Sequence, residues 1–355
     1  MSARGSFHRL RVAEVDRITA DAVAISFEVT PALASEFEFM PGQHVALHTE
    51  IDGEEVRRTY SICAPAGSGR LRIGVKRLAG GVFSTYAVER LAVGDVLEVM
   101  PPAGTFTREM TPGETLHYGA VAAGSGITPI LSILSTALAT SEHTTATLIF
   151  VNVSAASVMF LEEVEDLKNR YLERLVIFHV LDGEKTETPL LSGRLDAERL
   201  GAILDGTERV DQWFLCGPLP MTDMVRETLV ARGVDDGVIH RELFHVDAAP
   251  PRPPGAALAG GGGGVEVTMT LGGRSTQFVM PPRSPSILEA ARAVRPEVPY
   301  SCTNGVCGTC RCRVVAGSVD MVQNFALEPD EVAQGFALAC QAYPTSASVS
   351  VDFDG

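Results

Sequence analysis

Apolar and polar residues alternate in short runs over the first hundred positions: LRVAEVDRI, AVAISFEV, HVALHTEI, LRIGVKRL and DVLEVMP. A two-residue period bounded by turn residues predicts half-buried strands, and this many in succession predicts an antiparallel β-barrel over residues 1–112. The rhythm then changes. Over residues 113–246 apolar runs alternate with amphipathic stretches: HYGAVAAG with TPILSILSTAL, TATLIFVNV with SVMFLEEVEDLKNRY, RLVIFHVLD with LDAERLGAIL, and QWFLCGP with PMTDMVRETLVARG. Strand-then-helix repetition predicts an α/β domain with a doubly wound parallel sheet. DAAPPRPPGAALAGGGGG, residues 247–264, reads as a linker, stiff where proline dominates and flexible along the glycine run. Residues 265–355 are enough for one further small domain.

A chain of 355 residues is consistent with this multidomain division. Its net charge of −15 disfavours a nucleic-acid partner, whose phosphates would repel it, and suits a basic patch on another protein. The longest apolar run, residues 119–139, has the length of a membrane span. Gly124-Ser125-Gly126 and Thr128-Pro129 interrupt it, so it reads as a buried strand, a turn and a helix. The start, MSARGSFHRL, has no apolar signal-peptide core, and the expectation is a cytoplasmic protein without membrane contact.

That setting matters for SCTNGVCGTCRC, residues 301–312, which holds four of the seven cysteines. Clustered cysteines in the cytosol more often bind metal than form disulfides. A structural zinc site usually takes two paired knuckles, and a Rieske centre needs histidines. The spacing Cys302-x4-Cys307-x2-Cys310, with Cys340 downstream, is that of a plant-type [2Fe–2S] domain. Gly305 and Gly308 permit backbone N–H groups to approach the sulfurs closely. Cys312 reads as a small buried side chain of the following strand.

A one-electron cluster needs a source. In RRTYSICAP, Arg58 and Tyr60 share a strand face, Arg58 suited to a phosphate and Tyr60 to a flat ring, while Ser61 can donate to a flavin nitrogen. In GGVFSTYAVERL, a glycine pair and Ser84 open a helix whose free N–H groups attract a pyrophosphate; Ser84 reads equally as the helix N-cap. AAGSGITP (122–129) and LCGPLPM (215–221) are both strand-to-helix turns, where ligands of such sheets bind. Pro129 falls near the first helical position. Cys216, at a strand end, is either a buried apolar residue or a neighbour of the nicotinamide. No H-E-x-x-H pattern or catalytic triad is found.

Taken in order, R-x-Y-S, GGVFS, GSGITP and CGPLPM resemble the motifs of the ferredoxin-NADP reductase superfamily with a C-terminal ferredoxin domain. FHRLRVAEV, FMPGQHVAL, SGRLDAERL, FLCGPLPMT, IHRELF and the tail LEPDEVAQGFALACQAYPTSASVSVDFDG are similar to the reductase subunits of phenylacetyl-CoA epoxidases. The resemblance spans nearly the whole chain. It implies an α+β, β-grasp ferredoxin domain, with FAD held by Arg58, Tyr60, Ser61, Val75, Lys76, Val82, Phe83 and Ser84. Thr128 and Phe244 would lie near the flavin ring, and Gly124, Gly126, Cys216, Gly217 and Pro218 beside the nicotinamide. It further implies NADPH as donor, cluster ligation by Cys302, Cys307, Cys310 and Cys340, and a di-iron oxygenase acting on phenylacetyl-CoA as acceptor.

The chain departs from that pattern in one place. Where those subunits often read GNR before SMMF, it reads VNVSAASVMF, so Ser154 stands where an arginine for the 2′-phosphate is expected. Arg194 and Arg226 are the candidate substitutes, and the choice between NADPH and NADH stays open. The same architecture serves reductases of 3-ketosteroid 9α-hydroxylases and aromatic-ring hydroxylases, and a flavin and iron–sulfur redox sensor is a reading of another class. The linker reads either as a passive tether or as a hinge on which the cluster domain swings.

Overall fold

The computed structural model describes residues 7–186, 188–244, 264–281 and 286–355. The expected linker lies outside the described residues except for Gly264.

The first sheet contains β1 (His8–Thr19), β2 (Ala22–Glu28), β3 (His44–Ile51), β4 (Glu54–Ser61), β5 (Leu71–Lys76) and, after helix α1 (Val82–Glu89), β6 (Val96–Val99). It is antiparallel, in the order β4-β3-β6-β1-β2-β5. Leu10, Val12, Val23, Ile25, Leu47, Ile73 and Leu97 point inward and form its core. The two edge strands meet at an isolated bridge, Ile62 with Ile73. Among the described residues no continuous ladder closes the expected barrel. Beside that bridge Cys63 N–H donates to the Arg72 carbonyl at 2.9 Å, and the chain then turns at Pro65 and at Gly67 and Gly69, whose φ are 75 and 69. At the other end of β4, Asp52 and Gly53 both have positive φ, 53 and 85, and make the two-residue turn that joins β3 to β4.

The second sheet is parallel throughout, in the order β11-β10-β7-β8-β9. Its elements run β7 (His117–Ala123), α2 (Ile127–Thr140), β8 (Thr145–Asn152), α3 (Leu161–Arg170), β9 (Leu175–Leu181), α4 (Ala197–Leu204), β10 (Gln212–Cys216), α5 (Leu219–Ala231) and β11 (Ile239–Glu242). The apolar run 119–139 is therefore strand, 3-10 turn and helix, as expected, and no described helix is long and apolar enough to cross a membrane. Helix α2 is buried nearly all round because it also meets the first sheet. Ser132 donates to the Ala64 carbonyl at 2.7 Å. A Cβ on Gly74 would lie 2.7 Å from Thr128 Cγ2 and 2.8 Å from Phe160 Cε2, so β5 packs against this domain at a position where only glycine fits.

The third unit comprises β12 (Val265–Leu271), β13 (Arg274–Met280), α6 (Ile287–Val294), β14 (Arg311–Ala316), β15 (Val319–Met321), α7 (Pro329–Ala333), β16 (Phe336–Leu338), β17 (Ala342–Pro344) and β18 (Ser348–Asp352). A mixed sheet, β13-β12-β18-β14-β16, packs Val267, Met269 and Val351 against Ile287, Leu288 and Ala291 of α6. This is the α+β arrangement expected of a ferredoxin domain. Cys312 is a buried residue of β14, opposite Ala337.

Candidate electron-transfer site

The cysteine loop connects α6 to β14. Cys307, Cys310 and Cys340 are buried and Cys302 is half-buried. The sulfurs form two pairs. Cys302 and Cys307 act on each other directly, which lowers the Cys307 thiol well below its ordinary range and pushes Cys302 up. Cys310 and Cys340 do the same, with Cys340 lowered and Cys310 raised. Backbone N–H groups aim at the sulfurs: Asn304 at Cys302 Sγ, 3.4 Å, and Gly305 at Cys340. Gly305 and Gly308 have φ 74 and 65, and Thr303, a non-glycine residue, has φ 58. Backbone strain of this kind persists where the surroundings enforce it. Among the described residues no three His, Cys, Asp or Glu side chains close on a single ion. A two-plus-two set of thiols with converging N–H donors fits a two-iron cluster, in which each iron takes two cysteines.

Strand β4 carries the flavin candidates. Arg58 is exposed, its guanidinium donating to the Arg57 carbonyl at 2.7 Å. Tyr60 lies 5.4 Å, centroid to centroid, from Phe83, and burial pushes its phenol up. Ser61 is buried and donates to Glu242 Oε2 at 2.9 Å. Val75 and Lys76 end β5, with Lys76 Nζ 3.8 Å from Asp21. Val82 is 40% exposed at the start of α1, and Phe83 and Ser84 are buried. Gly81, not Ser84, is the N-cap, and no side chain caps that end. Ser84 is the third helical residue; its Oγ accepts from Leu78 N–H and donates to the Gly81 carbonyl. The cap reading of Ser84 is thus replaced, and the first N–H groups of α1 stay available to a pyrophosphate.

The two glycine turns of the parallel sheet touch backbone to backbone. Gly124 has φ 53, and a Cβ on Gly126 would lie 2.2 Å from the Cys216 carbonyl oxygen. One on Gly217 would lie 2.7 Å from Met221 Cε and 3.0 Å from Ala123 Cβ. Thr128 is buried and donates to the Ser125 carbonyl at 3.0 Å. Pro129 is the third residue of α2, not the first, still inside the turn where no N–H is needed. Pro218 caps α5. Cys216 is fully buried, its thiol pushed up by that burial, and pairs across the sheet with Glu242. Phe244, 39% exposed, follows two residues later.

Glu242 and His44 were not singled out from the sequence. His44 is buried, with Nδ1 3.8 Å from Glu242 Oε1 and Nε2 lacking a hydrogen-bond partner among the described residues. IHRELF and FMPGQHVAL contain both residues, yet neither stretch indicates that they meet. They line a cleft of about 1230 Å³ between the three domains, together with Cys307 and Thr309. Of the candidate 2′-phosphate arginines, Arg226 is held by Asp236, with Nε 2.6 Å from Oδ1, while Arg194 is exposed. Ser154 opens a 3-10 turn and donates its N–H to Ser157 Oγ.

Residues 9–107 match the family model of the oxidoreductase FAD-binding domain, 120–227 the oxidoreductase NAD-binding domain, and 269–345 the 2Fe-2S iron-sulfur cluster binding domain. The chain is 41% identical to a 1,2-phenylacetyl-CoA epoxidase subunit from Escherichia coli (strain K12), over 98% of each chain. It is 33% identical to the ferredoxin reductase component of 3-ketosteroid-9-alpha-monooxygenase from Rhodococcus rhodochrous, over 97% of this chain and 96% of that one. The structure of phthalate dioxygenase reductase shares the fold at TM-score 0.59 and 24% identity, covering 98% of both chains. The chain therefore belongs to the family of oxygenase reductase components that join an FAD-binding domain, an NAD-binding domain and a 2Fe-2S domain, the family that includes the 1,2-phenylacetyl-CoA epoxidase relative.

Proposed function

We propose that this protein draws electrons from NAD(P)H and delivers them singly to a di-iron oxygenase that epoxidises phenylacetyl-CoA in the cytoplasm. The observation that carries this reading is the 41% identity to the epoxidase relative over 98% of both chains, against 33% for the ketosteroid component. When bound, FAD supplies hydride acceptance and the cluster supplies one-electron steps. The protein's part is to bind, orient and separate them.

In this reading residues 1–112 bind FAD, 113–246 the nicotinamide nucleotide and 265–355 the cluster. Arg58 holds a flavin phosphate, Tyr60 lies against the ring, and Ser61 turns its one hydroxyl proton from Glu242 to a ring nitrogen when the flavin is bound. Val75, Lys76, Val82, Phe83 and Ser84 complete the flavin site, with Thr128 and Phe244 at the ring. Gly124, Gly126, Cys216, Gly217 and Pro218 shape the nicotinamide site. Glu242, hydrogen-bonded to Ser61, fixes that hydroxyl and offers a proton acceptor beside it. Cys302, Cys307, Cys310 and Cys340 hold the cluster. The test is coupled turnover with the phenylacetyl-CoA oxygenase component, phenylacetyl-CoA, oxygen and either nicotinamide, a ketosteroid hydroxylase component running in parallel. Epoxide formed only when this protein is present supports the assignment. Product formed with the steroid component alone would overturn it.

A further inference from the structure

Arg57 and Thr59 alternate with the flavin candidates Arg58 and Tyr60 along β4 and therefore face the other way. They meet the cluster domain. Thr59 Oγ1 donates to Ser301 Oγ at 2.6 Å, and the Arg57 guanidinium lies 4.2 Å from the centroid of the Tyr300 ring. Tyr300 and Ser301 immediately precede the ligand candidate Cys302. Arg292 of α6 lies 3.7 Å from the same ring, so Tyr300 takes one guanidinium from each domain. Phe7 adds a second ring, 5.2 Å from Arg57. The Nε atoms of Arg57 and Arg292 are both buried without a hydrogen-bond partner among the described residues. Both side chains are half-buried, and a buried guanidinium nitrogen without such a partner is costly unless something else compensates it, as the aromatic faces do here. Across the cleft, Thr105 Oγ1 donates to the Ala326 carbonyl at 3.1 Å, a second tether between the same two domains.

We propose that Arg57 and Thr59, clasping Tyr300 and Ser301, are positioning residues for the flavin-to-cluster electron step and have no part in hydride transfer. The inference rests on the reductase reading above. The strand that presents Arg58 and Tyr60 to the flavin holds, on its reverse side, the residue adjacent to Cys302. One rigid element thus fixes both ends of the electron's path. A clasp of one hydroxyl–hydroxyl hydrogen bond and one cation–π stack is weak enough to open, which leaves the cluster domain releasable toward a partner protein.

The test uses the full-length holoprotein. NAD(P)H is mixed in a stopped flow, flavin bleaching and cluster reduction are followed separately, and small-angle X-ray scattering records the domain arrangement. Arg57→Ala and Tyr300→Ala are expected to leave flavin bleaching unchanged, slow cluster reduction about tenfold and enlarge the radius of gyration. Tyr300→Phe keeps the ring face and is expected to behave as wild type. Thr59→Val, close to isosteric, is expected to slow cluster reduction in the same direction, which guards against a folding defect in either alanine variant. Unchanged cluster reduction and unchanged scattering in both alanine variants would overturn the clasp, and so would a parallel loss of flavin bleaching and cluster reduction. A wild-type protein in which nicotinamide bleaches neither centre would instead overturn the reductase reading.

Discussion

Ser61 and Glu242, 181 positions apart in the chain, are joined by a 2.9 Å hydrogen bond that ties the last residue of β4 to the last of β11. The bond spans the seam between the flavin and nicotinamide domains, where hydride would pass. Ser61→Ala leaves the Glu242 carboxylate without that donor. A hydrogen bond to a charged group contributes about 1.5–3 kcal/mol. Nicotinamide-driven flavin bleaching is therefore expected to slow about tenfold or more with FAD still bound. Stopped-flow absorbance checks this, and an unchanged rate would remove Ser61 from the hydride step.

The cysteines divide sharply by role. Cys340→Ser is expected to abolish the iron–sulfur absorption and paramagnetic signal while nicotinamide still bleaches FAD. Cys312→Ser is expected to keep the cluster. Its hydroxyl replaces a buried thiol facing the Ala337 carbonyl, so the loss is one of stability, roughly 1–2 kcal/mol by chemical denaturation. Loss of the cluster in the Cys312 variant would contradict the ligand set.

Nicotinamide preference is expected to turn on the loop after β8. Arg226 is engaged by Asp236, so Arg226→Ala is expected to leave the NADPH-to-NADH ratio of kcat/KM unchanged. Ser154→Arg places a guanidinium where a 2′-phosphate would sit. It is expected to raise that ratio about tenfold, the factor of one charge-assisted hydrogen bond. A falling ratio would displace Ser154 from the phosphate site.

Stability is expected to fall on mild acidification. His117, bonded to Thr145 and Thr147, and His240, stacked on Phe214, are both held below the ordinary imidazole value by burial, His240 also by Arg108. As pH drops below about 6.5 the unfolded chain takes up protons at these positions before the native one does, so unfolding is favoured. Tm is expected to decline between about pH 7 and pH 5, with a shallower slope in His240→Gln. A flat profile would mean that neither histidine is neutral in the native state.

Most of the secondary structure was legible because burial imposes a pattern: β1 to β3, β5 to β10 and α2 to α5 follow the apolar runs, whereas the largely polar β4 showed only as a motif and the four-residue β11 not at all. The meeting of the two edge strands was not, since it rests on one bridge, Ile62 with Ile73, just before the turn at Pro65, Gly67 and Gly69. The Cys302–Cys310 spacing announced a cluster. Its two-plus-two pairing needed Cys340, which arrives beside Cys310 through the bond from Ala339 N–H to the Cys310 carbonyl at 3.0 Å. Contacts between domains left no periodic trace: Thr59 and Ser301 are 242 positions apart. Glu242 sits inside IHRELF, yet only the parallel pairing of β10 with β11 sets it beside Cys216.

The two-residue turn at Asp52–Gly53 governs more than a hairpin. It sets the phase of β4, pairing Glu54 with Ile51 and, seven residues on, Ser61 with His44. A one-residue insertion in that turn would rotate every side chain of the strand to the opposite side. Arg58 and Tyr60 would then be offered to the cluster domain, and Arg57 and Thr59 to the flavin. Arg90 of the flavin domain clamps Asp52 through both carboxylate oxygens, at 2.9 and 3.0 Å. A surface turn at the opposite end of β4 from Ser61 thereby acts as the zero mark from which the facing of Arg57, Arg58, Thr59 and Tyr60 is counted.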